Sequence, residues 1–453
     1  MLTHHKIFYL AAFFSLGSLL LSSCGTNTSQ EAPPTAQIDS LLVDYVWAGH
    51  PVGFSMLTEP PHQFVAYYDS TRAMIVAQRR LGEDSWTKKT LPEKVGWDSH
   101  NYIAMALDSK GHLHVSGNMH VDTLVYFQTT TPYDVSTLER KDQLIGDLEY
   151  RATYPKFFSS PEGHLIFTYR DGGSGNGNQI YNRYDPDTQE WSRLLDEPLM
   201  DGKGEMNAYL HGPVLGPDGY YHLIWVWRDT PDAETNHDLS YVRSKDLVHW
   251  EQSDGTPQTL PITLENGEII DPVPPKQGMI NGNTVIGFDF QNRPVVTYHK
   301  FGPDGNTQVY NARQEETGWK IYQATNWDFR WYFEGRGSLN SRIGVSPVEI
   351  EEGQLTQKYY IDTVGVQKFL LNEDSLSVVK ELPVDKGYPD HLENVRSAFP
   401  EMRVNMSTDK TPEGDVYVLR WETLTRNRDR PREGNLPDPS LLMLYHIPNL
   451  DSP

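Results

Sequence analysis

The chain has 453 residues, a formal charge of −22 and a single cysteine. That length supports a large core, and the charge argues against a general nucleic-acid binder, whose affinity rests on a basic face. One cysteine excludes an internal disulfide and a cysteine-built zinc site, while a local basic cleft could still hold a polyanion.

In chain order, residues 1–23 read as a signal segment. A short, mildly basic start to Lys6 precedes Ile7 to Leu21, which is apolar but too short to span a bilayer as an ordinary helix. Leu21-Ser22-Ser23-Cys24, followed by Gly25, resembles the lipobox of bacterial lipoproteins. The resemblance implies cleavage before Cys24, acylation there, and an outer-membrane lipoprotein at the cell surface or facing the periplasm. Residues 24–40 are rich in Thr, Ser, Gln and Pro and read as lipidated Cys24 with a flexible tether. Residues 41–453 form the remaining domain, without a second stretch long enough to cross a membrane.

Within that domain a turn followed by an alternating apolar run recurs. Clear copies are Asp108-Ser109-Lys110-Gly111, Pro161-Glu162-Gly163, Pro217-Asp218-Gly219, Gln291-Asn292 and Pro412-Glu413-Gly414; Glu352-Gly353 and the stretch before Gln63-Phe64-Val65 are weaker. Six of the turn positions, 111, 163, 219, 292, 353 and 414, lie 52 to 73 residues apart. Several units end in a tryptophan turn, at Trp86, Trp191, Trp250 and Trp319. Period-two strands, Gly/Pro/Asp turns and little helical periodicity predict an all-β protein. Seven units of this size predict a seven-bladed β-propeller, with a β-helix as the rival whose coils are shorter and more regular.

Between His100 and Arg170 the chain gathers groups suited to proton transfer on an anion. His100 and His120 flank one predicted strand region, Tyr154 and Arg170 the next. Imidazole and phenol exchange protons, and guanidinium holds a carboxylate bidentately. Taken singly, each is more often a satisfied core residue of a β-sheet. In a propeller the loops of successive blades converge on one channel mouth, which would bring the four together.

Trp47-Ala48-Gly49-His50-Pro51-Val52-Gly53-Phe54, Ser99-His100-Asn101, His120, Thr153-Tyr154-Pro155-Lys156-Phe157 and Tyr169-Arg170-Asp171-Gly172-Gly173-Ser174-Gly175 resemble the BNR-4 repeat family. Within it the chain is similar to ulvan lyases of polysaccharide lyase families 24 and 25, more so to 25. The resemblance implies β-elimination on a sulfated rhamnose–uronate polymer by His100, His120, Tyr154 and Arg170. Tyr209, in Asn207-Ala208-Tyr209-Leu210-His211, matches a further substrate-contacting tyrosine. Substrate contacts are also expected from Asn101, His211, His299 and Arg330. Catalysis needs no cofactor. Some members hold a structural zinc partly through cysteine, so any divalent ion here must be held differently. A monomer is expected.

Elimination requires a neutralised carboxylate, a base for the C5 proton and an acid for the departing C4 oxygen. Arg170 with His120 would neutralise the carboxylate; Tyr154 and His100 would be base and acid in either order. Lowering a phenol from about 10 to near 8 costs roughly 2.7 kcal/mol. A cation at about 4 Å contributes on the order of 4 kcal/mol at an effective dielectric of roughly 20, so Arg170 is expected to activate Tyr154. Two other readings stay open. One is a rhamnosidase-type hydrolase centred on His50. The other is a non-catalytic glycan-binding lipoprotein using Trp327-Asp328-Phe329-Arg330-Trp331-Tyr332.

Overall fold

A computed structural model describes residues 38–160 and 162–449. The expected signal segment and Cys24 lie outside the described residues. Those residues form an all-β protein whose helical content is three short 3-10 turns, at Val135–Thr137, Ala233–Thr235 and Asp390–Glu393. No helix among them is long and apolar enough to cross a membrane.

The strands fall into seven antiparallel sheets of four or five strands, and in six of them the main path follows chain order. Sheet I holds Ser55–Glu59, His62–Tyr68, Ala73–Arg80 and Thr87–Lys94. Sheet II holds Ile103–Leu107, Leu113–Gly117, Tyr126–Thr129 and Leu138–Arg140. Sheet III runs from Ala152–Ser159 through Leu165–Gly173 and Asn176–Asp185 to Glu190–Arg193, with His120–Asp122 added at its first edge. Sheets IV, V and VI begin at Asn207–Leu215, Val285–Phe288 and Ile343–Val345. Sheet VII begins at Met402–Lys410, and Asp39–Val46 completes it as the outermost strand beside Ser440–Ile447. The start and end of the described chain are thus stitched into one sheet.

The repeated turns have a structural place. Gly111, Gly163, Gly219, Asn292, Gly353 and Gly414 each sit between the first and second strands of a sheet, as does the weaker copy before Gln63. The acidic residue of the turn works by accepting backbone N–H bonds. Asp108 takes those of Lys110 and His112 at 2.8 and 2.9 Å, and Asp289 those of Gln291 and Arg293, both at 3.0 Å. This local side-chain pairing is what makes Asp a turn residue. Trp191, Trp250 and Trp319 lie in fourth strands, and Trp86 immediately precedes one.

First strands of neighbouring sheets pack beside one another: Ile103–Leu107 lies against both Ser55–Glu59 and Ala152–Ser159, and Ser55–Glu59 against Met402–Lys410. The cores lie between sheet faces. Phe64, Val76, Val115, Tyr126 and Phe167 knit sheets I to III, and Tyr67, Ile75, Leu419 and Leu444 knit sheets I and VII. This succession sets the starts of sheets II, III and IV side by side, where the candidate residues fall.

Candidate active site

Asp98 sits in the segment that enters sheet II, and one carboxylate serves two histidines. Its Oδ1 lies 2.6 Å from His100 Nδ1 and its Oδ2 2.5 Å from His120 Nδ1. A carboxylate only accepts, so both Nδ1 atoms carry hydrogen and both Nε2 lone pairs are left free. Burial works to raise the Asp98 carboxyl, but the two histidine hydrogen bonds outweigh it and hold the group well below the usual carboxylate range. The two imidazoles stand 4.4 Å apart between centroids. His120 follows the second strand of sheet II and then pairs with Thr153 at the edge of sheet III. Its neighbour Val121 has φ of 64°, a left-handed conformation that is costly for a β-branched residue.

Tyr154 lies within the first strand of sheet III rather than before it, at a register break between Thr153 and Lys156. Its φ is 60°, and the kink sets the ring 5.6 Å from that of His100. The hydroxyl has no hydrogen-bond partner recorded among the described residues. Arg170 is likewise inside a strand, on Leu165–Gly173 and opposite Thr153. Its guanidinium carbon is 4.7 Å from the Tyr154 ring centroid. Arg170 Nε donates to the Gly172 carbonyl at 3.0 Å and Nη1 to the Tyr209 hydroxyl at 3.5 Å, while Nη2 is buried without a partner. Gly177 underlies this side chain: a Cβ there would meet Arg170 Cδ at 2.8 Å.

The expected activation of Tyr154 by Arg170 does not hold. Burial raises the phenol pKa first, and Tyr209 adds to it; Arg170 and Arg228 pull the other way and lose. The Coulomb comparison made from sequence lacked the desolvation that a partly enclosed ring suffers. Tyr154 is therefore a phenol, not a phenolate, throughout the neutral range.

A cavity of about 360 Å³ is lined by His100, Tyr154, Arg170, Tyr209, His211 and Lys156, among others. A second hollow of about 280 Å³ shares His100, Tyr102 and Tyr154 with it and continues to Arg228 and Arg426. His100, Tyr154, Arg170, Tyr209 and His211 are thus brought together, and His120 joins them through Asp98. Asn101 is in neither lining; its Oδ1 is buried without a partner. His299 is buried against Trp331 and lines neither hollow. Arg330 lies over the Phe301 ring and donates to the Gly305 carbonyl, away from both hollows. Within the aromatic segment Trp331 is buried beside Phe333, while Tyr332 is exposed. His50 is also buried, 3.5 Å from Asp429, and lines neither hollow.

Sequence reasoning gave no role to Asp98 or Asp429. Asp98 had a signal, an acid two residues before a histidine. Asp429 had none: it accepts from Ser99 N and Oγ at 3.1 and 3.0 Å, 330 residues away, and from Ser338 N at 2.6 Å. Asp98, His100 and His120 are also the one set of metal-ligating side chains that converges among the described residues. Their Nδ1 and carboxylate atoms stand at hydrogen-bonding distance from one another, and no sulfur ligand accompanies them.

Comparison with known proteins bears on this arrangement. A short-isoform ulvan lyase of Alteromonas sp. (strain LOR) is 30% identical over 154 residues, 30% of this chain and 28% of that protein. A long-isoform ulvan lyase of Glaciecola sp. (strain KUL10) is 51% identical over 62 residues, 14% of this chain and 6% of the other. The chain thus spans less than a third of the curated relatives it matches. Among solved structures, the polysaccharide lyase Uly1 superposes with a TM-score of 0.59 at 14% identity, covering 90% of this chain and 92% of that one. A PL25 ulvan lyase bound to -[GlcA(1-4)Rha3S]- gives a TM-score of 0.57 at 12% identity, covering 89% and 94%. At these identities the likeness is one of fold. The model of the BNR repeat-containing family matches residues 62–327, more than half of the sequence, and the chain belongs to that family.

Proposed function

We propose that this protein is an ulvan lyase built as a seven-bladed β-propeller, cleaving a sulfated rhamnose–uronate polymer by β-elimination. One observation carries the reading: an Asp98-oriented histidine, a protonated tyrosine and an arginine whose buried Nη2 has no partner line one cavity. The ulvan lyases among its relatives, and the oligosaccharide bound to one neighbour of the same fold, support the substrate class. The propeller form is supported by seven sheets, several of whose first strands neighbour one another, and by the strand Asp39–Val46 that completes the last sheet.

Each group then has one task. Arg170 Nη2 donates to the uronate carboxylate and stabilises the charge that grows there as C5 loses its proton. His100 Nε2 takes that proton; the C5–H electron pair becomes the C4–C5 double bond and the C4–O bond breaks. Tyr154 gives its proton to the departing oxygen, a stronger base than any phenolate, which suits a phenol whose pKa burial has raised. Proton return from the His100 imidazolium to the phenolate, directly or through water, resets the pair. His120 shares Asp98 with His100 and keeps that carboxylate fixed between them.

The test is product absorbance after incubation with ulvan and, separately, with alginate, pectin and heparin. Unsaturated, ultraviolet-absorbing ends from ulvan, lost in His100→Ala and Tyr154→Phe variants that melt normally, are expected. New reducing ends without that absorbance would overturn the reading in favour of a hydrolase. Acylation at Cys24 and attachment to the outer membrane are part of the proposal and rest on the lipobox alone.

A further inference from the structure

The Tyr154 strand carries a second cavity-lining side chain whose chemistry the elimination does not use. Lys156 follows two residues after Tyr154, and both line the larger hollow. The Lys156 ammonium donates to the Gly212 carbonyl at 2.5 Å. An ammonium has three donors, and no carboxylate lies within ion-pair distance of this one among the described residues. Burial lowers its pKa, and no acidic neighbour counters that. His211 lines the same wall. Burial, then the Lys156 charge, pushes its pKa down to about 4, so at neutral pH it is a neutral imidazole with one N–H to give. Lys156 is exposed at the cavity wall with ammonium donors to spare beside the neutral His211 N–H, a pair able to receive an anion.

We propose that Lys156 and His211 form a subsite for a sulfate ester on the sugar adjacent to the cleaved uronate. The proposal rests on the lyase reading and deepens it by assigning the residues that read sulfation. The two cations lining the cavity differ in geometry. Arg170 offers a planar fork suited to a carboxylate, and Lys156 a point charge suited to a tetrahedral group presenting oxygens in several directions. Lys156 and His211 are specificity residues here and take no part in bond breaking.

The experiment compares wild type, Lys156→Met and Lys156→Arg on ulvan and on chemically desulfated ulvan, following unsaturated product. Lys156→Met should raise KM on ulvan by about tenfold, the scale of one charge-assisted hydrogen bond, and kcat should change far less. The wild-type preference for the sulfated polymer should shrink by the same factor, and Lys156→Arg should retain most of it. A parallel titration calorimetry series uses ulvan oligosaccharides, sulfated and desulfated, with Tyr154→Phe and with Tyr154→Phe/Lys156→Met. Affinity for the sulfated oligosaccharide alone should fall. Equal losses on both ligands, or an unchanged KM on ulvan, would overturn the subsite. If wild type yields no unsaturated product from either polymer, the lyase reading fails, and the calorimetry still decides the subsite. Should Lys156→Met fold poorly by thermal melt, Lys156→Gln and His211→Asn carry the same comparison.

Discussion

Asp98 accepts from both histidines, and an amide in its place would not. In Asp98→Asn one ring would face an N–H2 group, which demands an Nδ1 lone pair and moves the hydrogen to Nε2. A histidine in that tautomer is no base for C5–H. Turnover should fall by about 10²-fold or more with near-normal melting, and a similar kcat for the variant would remove Asp98 from the mechanism. Arg170 allows a graded test. Arg170→Lys keeps the charge and loses the fork, so KM should rise by about tenfold with part of kcat retained; Arg170→Ala should lose far more. Equal activity of the two variants would show that the charge Lys retains contributes nothing there, whereas Arg170→Lys matching wild type would show that charge alone suffices. The residue types at this site were legible because imidazole, phenol and guanidinium are rare in such company. Their states were not. The protonation of Tyr154 depends on an enclosure built by Tyr102, Tyr209 and Arg170 from three different strands or loops, which sequence order does not disclose. His299 and Arg330 failed for the same reason: a histidine or arginine in an alternating run looks alike whether it meets solvent or a neighbouring ring.

Hairpin turns were the legible elements, since Asp108 and Asp289 bond backbone within four residues and that chemistry is local. Contacts that join distant elements were not, and Asp429 is the clearest case. From the loop after Val416–Leu424 it holds Ser99, next to His100, and Ser338, and it approaches His50. It therefore fixes the segment bearing Asp98 and His100 against sheet VII. Burial works to raise its carboxyl, but hydrogen bonds from His50, Ser338 and Ser99 hold it well below its ordinary 3.8. A depressed folded pKa contributes stability that is present above the unfolded value and lost as pH falls toward the folded one. Asp429→Asn should therefore melt below wild type at pH 7, and the gap should narrow as pH drops below about 4. A gap that stays constant across that range would mean the carboxylate charge is not what ties these loops.

At the scale of the whole molecule, two proposals can be tested without reference to the fold. The first is the anchor: Cys24→Ala should abolish acylation and release the protein from the membrane fraction, and unchanged fractionation would count against a lipoprotein. The second is charge. On the proposed function, a chain of −22 would approach a polyanion against its own field, and the attraction would come from a few cations lining the two hollows, Lys156, Arg170, Arg228 and Arg426. These act over different distances. The Debye length is about 30 Å at 0.01 M salt, about 8 Å at 0.15 M and about 3 Å at 1 M. Modest salt should therefore screen the long-range repulsion first and leave the short contacts standing; molar salt should weaken those too. The expected kcat/KM on ulvan rises from about 0.01 to 0.15 M sodium chloride and falls again toward about 1 M. An enzyme guided by a broad basic face would decline throughout. Initial rates at limiting ulvan across that range, with a neutral-salt melt as control, distinguish the two, and a monotonic decline would mean that the groove's own field reaches past the acidic surface.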